Sequence, residues 1–203
     1  CALLVIRCGG KNSAAPLEGI EKLIETLKGR GTTNVCICID GADELLARGD
    51  GASAKAAEEK ISALVAAAKA SGFEIAASIN PSKIEKGDKI SEKLLARDER
   101  GNPIIDPKTK RQLVCPKAYY QQKAVGDLNR LRDLGFSFVL VDGLCSTPPA
   151  CFDKDHLADA EVNALYCKRI MKLAGQVMGS GGCSEAPDFI AEYTDFTLES
   201  GPD

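Results

Sequence analysis

The chain has 203 residues, 44% of them hydrophobic and 27% charged, with a formal net charge of −3. A chain of this length buries roughly 70% of its unfolded surface, and its composition excludes wholesale disorder, a collagen-like repeat and a coiled-coil rod. The acidic balance offers no basic field for a nucleic-acid backbone or an anionic membrane, and no apolar run approaches the ~18 residues of a membrane span.

Along the chain, apolar runs alternate with stretches of helical period, the pattern of parallel strands joined by crossover helices. The sequence starts at Cys1 and enters an apolar stretch at once, which reads as an excised domain or processed fragment. A signal peptide needs a longer apolar region behind a basic start, and a lipidated Cys1 is the minor alternative; the compartment, cytoplasmic or secreted, stays open. A first strand covers Ala2 to Arg7 and closes on Gly9-Gly10. A helix follows from about Pro16, with Leu17, Ile20, Ile24 and Leu27 on one face. The second strand, Asn34 to Asp40, contains Val-Cys-Ile-Cys-Ile, continuously apolar as a strand covered on both faces should be. Its helix runs from about Ser53 to Ala70 with Ala57, Ile61, Leu64, Val65 and Ala68 as the buried stripe.

The third strand, Phe73 to Ile79, stops at Asn80-Pro81, and a polar loop insertion over about 81–116 follows. A connection that long inside a compact domain is either functional or contains structure of its own. A helix over about 117–134 carries Val125, Leu128 and Leu131, and the fourth strand, Phe136 to Asp142, is the most strongly apolar. Val162, Leu165, Tyr166, Ile170 and Leu173 mark another helix, with short strands expected over 176–180 and 196–199.

This order specifies one α/β domain over 1–203, a (β/α) TIM-type barrel shortened to five or six strand-helix units where ~250 residues are usual. The open doubly wound sheet loses its support. No Gly-x-Gly-x-x-Gly follows a strand, and Cys8-Gly-Gly-Lys lacks the spacing of a phosphate loop.

Two counts are unusual: tryptophan is absent and cysteine occurs nine times. An odd number leaves at least one thiol without a partner inside a monomer. The spacings form no metal framework, and neither a metal nor a cofactor is expected. Cys8, Cys36, Cys38 and Cys167 read as buried, reduced small hydrophobes, while the segment from Cys145 to Cys151 can close into a disulfide.

In a barrel, functional groups lie at the carboxyl ends of the strands. Those ends are Arg7, Asp40, Asn80, Asp142, then Ser180 with Glu185 just beyond, and Glu199. Carboxylates converging on one mouth can hold separated pKa values and so serve as acid and base or nucleophile. Each of these residues also suits a helix cap or a turn. Asp142 stands apart, because it ends the most apolar strand and Gly143 follows it. His156, the only histidine, lies in the polar segment Cys-Phe-Asp-Lys-Asp-His, where a hydrogen-bonding role is the ordinary expectation. A serine hydrolase lacks its Gly-x-Ser-x-Gly elbow, and a Schiff-base lyase or aldolase lacks a strand-end lysine.

Four segments carry a resemblance: Leu95-Ala-Arg-Asp-Glu-Arg-Gly-Asn-Pro with Val114-Cys-Pro-Lys-Ala-Tyr-Tyr-Gln-Gln, Phe138-Val-Leu-Val-Asp-Gly-Leu, Pro148-Pro-Ala-Cys-Phe-Asp-Lys-Asp-His, and Gly182-Cys-Ser-Glu-Ala-Pro. From Leu94 to about Asp195 the chain resembles uncharacterised bacterial proteins of the glycoside-hydrolase-like TIM-barrel type, distantly similar to the α-galactosidase group. The resemblance implies a carbohydrate ligand and cleavage of a glycosidic bond by a carboxylate pair. Asp142 takes the place of nucleophile or base, with Glu185 or Glu199 as the acid. Arg7, Asp40, Asn80, Tyr119, Tyr120 and His156 are the expected sugar-binding residues. The chain departs from the pattern where an acidic residue is expected before Glu185, since Ser180 and Gly181 stand there.

Sugar rings are commonly held against aromatic faces, and aromatics make up only 5% of this chain. Tyr119, Tyr120 and Phe152 are the candidates, with Tyr166 assigned to helix packing; a further segment or a partner chain, including a second copy, would supply the rest. The rival reading is therefore a non-catalytic carbohydrate-binding or assembly protein of the same fold.

Overall fold

A computed structural model describes residues 4–8, 16–40, 42, 51–84, 91–108, 110–144, 148–183 and 196–198. They belong to two compact units, one formed by 1–79 with 129–140 and the other by 80–128 with 141–203.

The first unit is built from strand-helix repeats: β1 (Leu4–Cys8), α1 (Pro16–Gly29), β2 (Val35–Ile39), α2 (Gly51–Ala70) and β3 (Glu74–Ile79). β1 pairs with β2 in parallel from Leu4↔Val35 to Cys8↔Ile39, and β2 with β3 from Cys36↔Glu74 to Ile39↔Ala77. Every residue of β2 is buried, the outcome expected of a continuously apolar strand. Ile20 and Ile24 of α1 and Ile61, Leu64, Val65 and Ala68 of α2 form the helix side of this core. Cys36 and Cys38 lie within it as buried thiols outside any disulfide, and burial, reinforced by the charge of Glu74, pushes the Cys36 thiol up to about 12. α2 stops at Gly72, whose left-handed backbone (φ 78°) lets Phe73 N donate to Ala68 O at 3.0 Å. Strand β6 (Phe138–Val141) is entered beside β3, with Ser137 N donating to Ile75 O at 2.9 Å.

In the second unit the long polar insertion is ordered where it is described. β4 (Lys83–Ile84) and β5 (Gln112–Leu113) pair antiparallel, and single bridges join Leu95 to Val114, Arg97 to Pro103 and Ile105 to Gln112. A 3₁₀ turn at Ser91–Leu94 lies inside this fold-back. Residues 116–133 then form one helical run: α3 (Pro116–Tyr119), a π-helical turn (Tyr120–Ala124) and α4 (Val125–Asp133). α5 (Ala160–Val177) starts at Asp159, whose carboxylate accepts from Val162 N at 2.7 Å, and β7 (Gly179–Cys183) pairs in parallel with β8 (Phe196–Leu198).

Three sequence expectations shift here. Val125 is 52% exposed, not part of the Leu128 and Leu131 stripe. The π turn steps burial by five residues, from Tyr119 to Ala124, and so leaves Val125 outside. Leu165 is 46% exposed, because α5 buries Asn163, Cys167, Ile170, Met171 and Ala174, a stripe that keeps the expected Ile170 but runs through the polar Asn163. The fifth parallel strand, expected over 176–180, begins only at Gly179, since α5 continues to Val177; Ser180 is thus a buried residue early in β7 and not a strand tip. No helix among the described residues is long and apolar enough to cross a membrane.

Candidate functional site

Asp40, Asn80 and Asp142 each follow directly on the last residue of a strand, β2, β3 and β6 respectively, and all three are partly buried. Arg7 is the fourth residue of β1, one short of its end. Glu185 and Glu199 lie outside the described residues. Asp40 belongs to the first unit, where the Cys38 thiol points to its Oδ1 at 3.9 Å.

Asn80 and Asp142 belong to the second unit. Asn80 Oδ1 accepts from Ser82 N at 3.2 Å and from Ser82 Oγ at 2.8 Å, closing a turn at the tip of β3. Gly143 packs against that turn. A Cβ at Gly143 would lie 2.6 Å from Asn80 Oδ1 and 2.6 Å from Ser82 Oγ, and its φ of 73° is in the left-handed region. Glycine is thus required twice over, by conformation and by space, and the backbone that carries Asp142 rests on the neighbouring strand tip.

The expected aromatic and histidine contacts resolve differently. Tyr119 is buried and its hydroxyl donates to Asp127 Oδ2 at 3.0 Å, an acceptor shared with Lys123 Nζ at 2.6 Å. Tyr120 packs on Tyr166 with ring centroids 5.5 Å apart, and Arg169 lies over the Tyr166 ring at 4.8 Å. Phe152, 46% exposed, presents an open aromatic face.

His156 is buried, and its Nδ1 is 3.3 Å from the Sγ of Cys151. Cys151 is a free thiol that faces Cys115 and His156; Cys145, its expected disulfide partner, lies outside the described residues. The Cys115 and Cys151 sulfurs and a His156 ring nitrogen all fall within 4.8 Å of one another. Around them, Cys115 Sγ points to Asn163 Oδ1 at 3.4 Å, Arg97 N donates to Cys151 Sγ at 3.5 Å, and Asp153 Oδ1 is 3.6 Å from His156 Nε2. Asp153 is itself held by Arg97 Nε at 3.1 Å.

Charge is divided unevenly over this cluster. Donation from the Cys115 thiol, joined by the backbone N–H groups of Asp153 and Arg97 and the charge of His156, outweighs burial and holds Cys151 well below the usual thiol range. Cys115, donating and buried, is pushed above it. Burial opposes ionisation of Asp153, yet the N–H of Asp155 and the charges of His156 and Arg97 keep its carboxyl below the ordinary range. Cys115, Asn163, Arg97 and Asp153 are the residues that sequence reasoning missed as a group. Their only trace in the sequence is the excess of cysteine.

No protein-family model and no curated protein sequence matches the chain. Solved structures do. The α-N-acetylgalactosaminidase of Bifidobacterium bifidum in complex with GalNAc superposes on 96% of this chain with a TM-score of 0.74 at 10% identity. The chain shares the fold of these barrel glycosidases. The GH36 α-galactosidase of Geobacillus stearothermophilus in complex with stachyose matches over 97% at a TM-score of 0.67 and 12% identity. An α-galactosidase of Thermus thermophilus in complex with p-nitrophenyl α-D-galactopyranoside matches over 96% at 0.67 and 11%. The chain spans 36%, 30% and 40% of the length of these three neighbours. The architecture is thus of the (β/α)-barrel type, represented by fewer strand-helix units than the eight of a full barrel among the described residues.

Proposed function

We propose that the protein cleaves an α-linked galactosyl or N-acetylgalactosaminyl bond, with Asp142 as the nucleophile. The observation that carries this reading is the placement of Asp142: a partly buried carboxylate directly after β6, on a backbone turn that rests against the tip of β3, in a chain sharing the barrel fold of glycosidases. The neighbours' complexes with GalNAc, stachyose and an aryl galactoside support the substrate class.

A carboxylate oxygen of Asp142 attacks the anomeric carbon as the glycosidic C–O bond breaks, and an acid, Glu185 or Glu199, gives its proton to the departing oxygen. Water, deprotonated by the same residue, then attacks the anomeric carbon and frees Asp142. Partial burial of Asp142 favours this role, because charge interactions strengthen as water is excluded. Asn80, in the same unit as Asp142, is the further strand-end group assigned to the sugar hydroxyls.

Turnover of p-nitrophenyl α-galactoside and α-N-acetylgalactosaminide by native protein and by Asp142→Asn tests the reading. The variant is expected to lose at least ~10³-fold in kcat, the scale of removing a group that acts in the transition state. Equal rates in the two proteins refute it. The absence of tryptophan favours the rival of a carbohydrate-binding protein, for which these glycosides bind without release of nitrophenol.

A further inference from the structure

We propose that Cys115, Cys151 and His156 form a zinc site that staples the loop after β3 to the loop after β6. The three donors come from two separate stretches of chain. Cys115 ends the 80–115 fold-back with its N–H on Leu94 O at 2.8 Å, whereas Cys151 and His156 lie in the segment that follows β6. All three are essentially out of solvent, at 0%, 0% and 2% exposure, as the ligands of a closed structural site are.

The distances suit one small tetrahedral ion. With Zn–S near ~2.3 Å and Zn–N near ~2.0 Å, tetrahedral ligand atoms stand about 3.5–3.8 Å apart. The three ligand atoms fall within 4.8 Å of one another, with 3.3 Å between Cys151 Sγ and His156 Nδ1. The fourth corner belongs to the carboxamide oxygen of Asn163, 3.4 Å from Cys115 Sγ. Asn163 is fully buried, and its Nδ2 donates to Pro149 O at 2.8 Å, which leaves Oδ1 to face Cys115 Sγ.

The outer contacts agree. His156 presents Nδ1 to sulfur while Nε2 faces Asp153 at 3.6 Å, and Arg97 fixes Asp153 at 3.1 Å. A carboxylate behind the second ring nitrogen is how metal-bound imidazoles are oriented. Thiolate and imidazole donors select zinc over magnesium or calcium. Binding needs no oxidant: Zn²⁺ replaces the thiol protons, at most one from each cysteine, and these go to solvent. A Cys115–Cys151 disulfide would account for two of the residues, but neither for His156 nor for Asn163. This assignment is independent of the glycosidase reading and stands or falls without it.

The test uses the full chain purified under reducing conditions without chelator. One zinc per chain is expected by elemental analysis, with stoichiometry retained in a Cys36→Ser control and lost in Cys151→Ser. Because Cys151→Ser can fail to fold, two further measurements stand beside it. Asp153→Asn should weaken zinc binding ~10–100-fold in a titration with zinc alone. The cobalt-substituted native chain should show tetrahedral d–d bands and thiolate-to-cobalt charge transfer. Failure of the reduced native chain to retain or bind zinc overturns the proposal. So do an octahedral cobalt spectrum without charge transfer and full zinc content in Cys151→Ser.

Discussion

Gly143→Ala is the substitution for which the structure makes the sharpest demand. At φ 73° a residue with a Cβ is left-handed, which costs about 1–2 kcal/mol. The new methyl would also sit 2.6 Å from Asn80 Oδ1 and 2.6 Å from Ser82 Oγ, far inside contact distance, so the Asn80 turn must open. Opening it gives up the two bonds that Oδ1 accepts from Ser82, at 3.2 and 2.8 Å, worth about 1 kcal/mol each. The expected loss is about 2–5 kcal/mol. Urea unfolding followed by circular dichroism should register it as a midpoint lowered by about 1–2 M at an unchanged slope. Asn80→Ala removes one side of the clash, so the double variant should be less destabilised than the single costs add up to. A midpoint within about 0.2 M of native, or strict additivity in the double variant, would refute the argument that glycine is held there by space as well as by backbone conformation.

Three further substitutions probe the surroundings. Gly126→Ala, in α4 with open space at the Cβ position, should stabilise by about 0.5–1 kcal/mol in the same urea assay. Asp159→Ala deletes the cap that accepts from Val162 N and should cost about 1 kcal/mol; no change would mean that α5 holds its first turn without it. Cys36 binds its proton more tightly folded, at about 12, than at the ordinary 9.0, so its share of stability is complete below pH 9.0 and is lost as pH climbs towards 12. Cys36→Ala should therefore flatten the alkaline fall in unfolding free energy, and parallel native and variant pH curves would exclude Cys36 as a contributor.

β2 and β3 were legible because both of their faces are covered: a run such as Val-Cys-Ile-Cys-Ile admits few other readings, and all five residues are buried. The strand boundaries alone then placed Asp40, Asn80 and Asp142 directly after β2, β3 and β6. β7 was displaced because Gly-Ser-Gly-Gly-Cys offers no side-chain period to set against the helix before it. The stripe of α5 was misread because it includes Asn163, which is buried for what it bonds and not for what it repels from water. For the same reason the cysteine cluster was hidden. Its members gain their meaning only when the 80–115 segment folds back, and that fold-back rests on single bridges such as Leu95 with Val114, which leave no alternating pattern in the sequence.

The chain segments that follow β3 and β6 touch at two places in the second unit, and Asp142 lies next to one of them. Gly143 rests on Asn80 and Ser82, and Ser82 O in turn accepts from Val114 N at 2.8 Å, next to Cys115. Further along, Cys151 and His156 meet Cys115, Phe152 N donates to Arg97 O at 2.9 Å, and Lys117 Nζ reaches Leu157 O at 2.8 Å. A carboxylate in the nucleophile's role proposed for Asp142 must be held to within a fraction of an ångström, because misplacement by about 1 Å costs on the order of 10²-fold in rate. A residue just past a strand end does not gain that precision from one strand alone. Here the turn against Asn80 fixes the backbone at Asp142, while the buried sulfur and imidazole contacts tie down the chain beyond it. Neither set of contacts was read from the sequence, and together they turn Asp142 from an acidic strand ending into a carboxylate whose backbone is restrained on both sides.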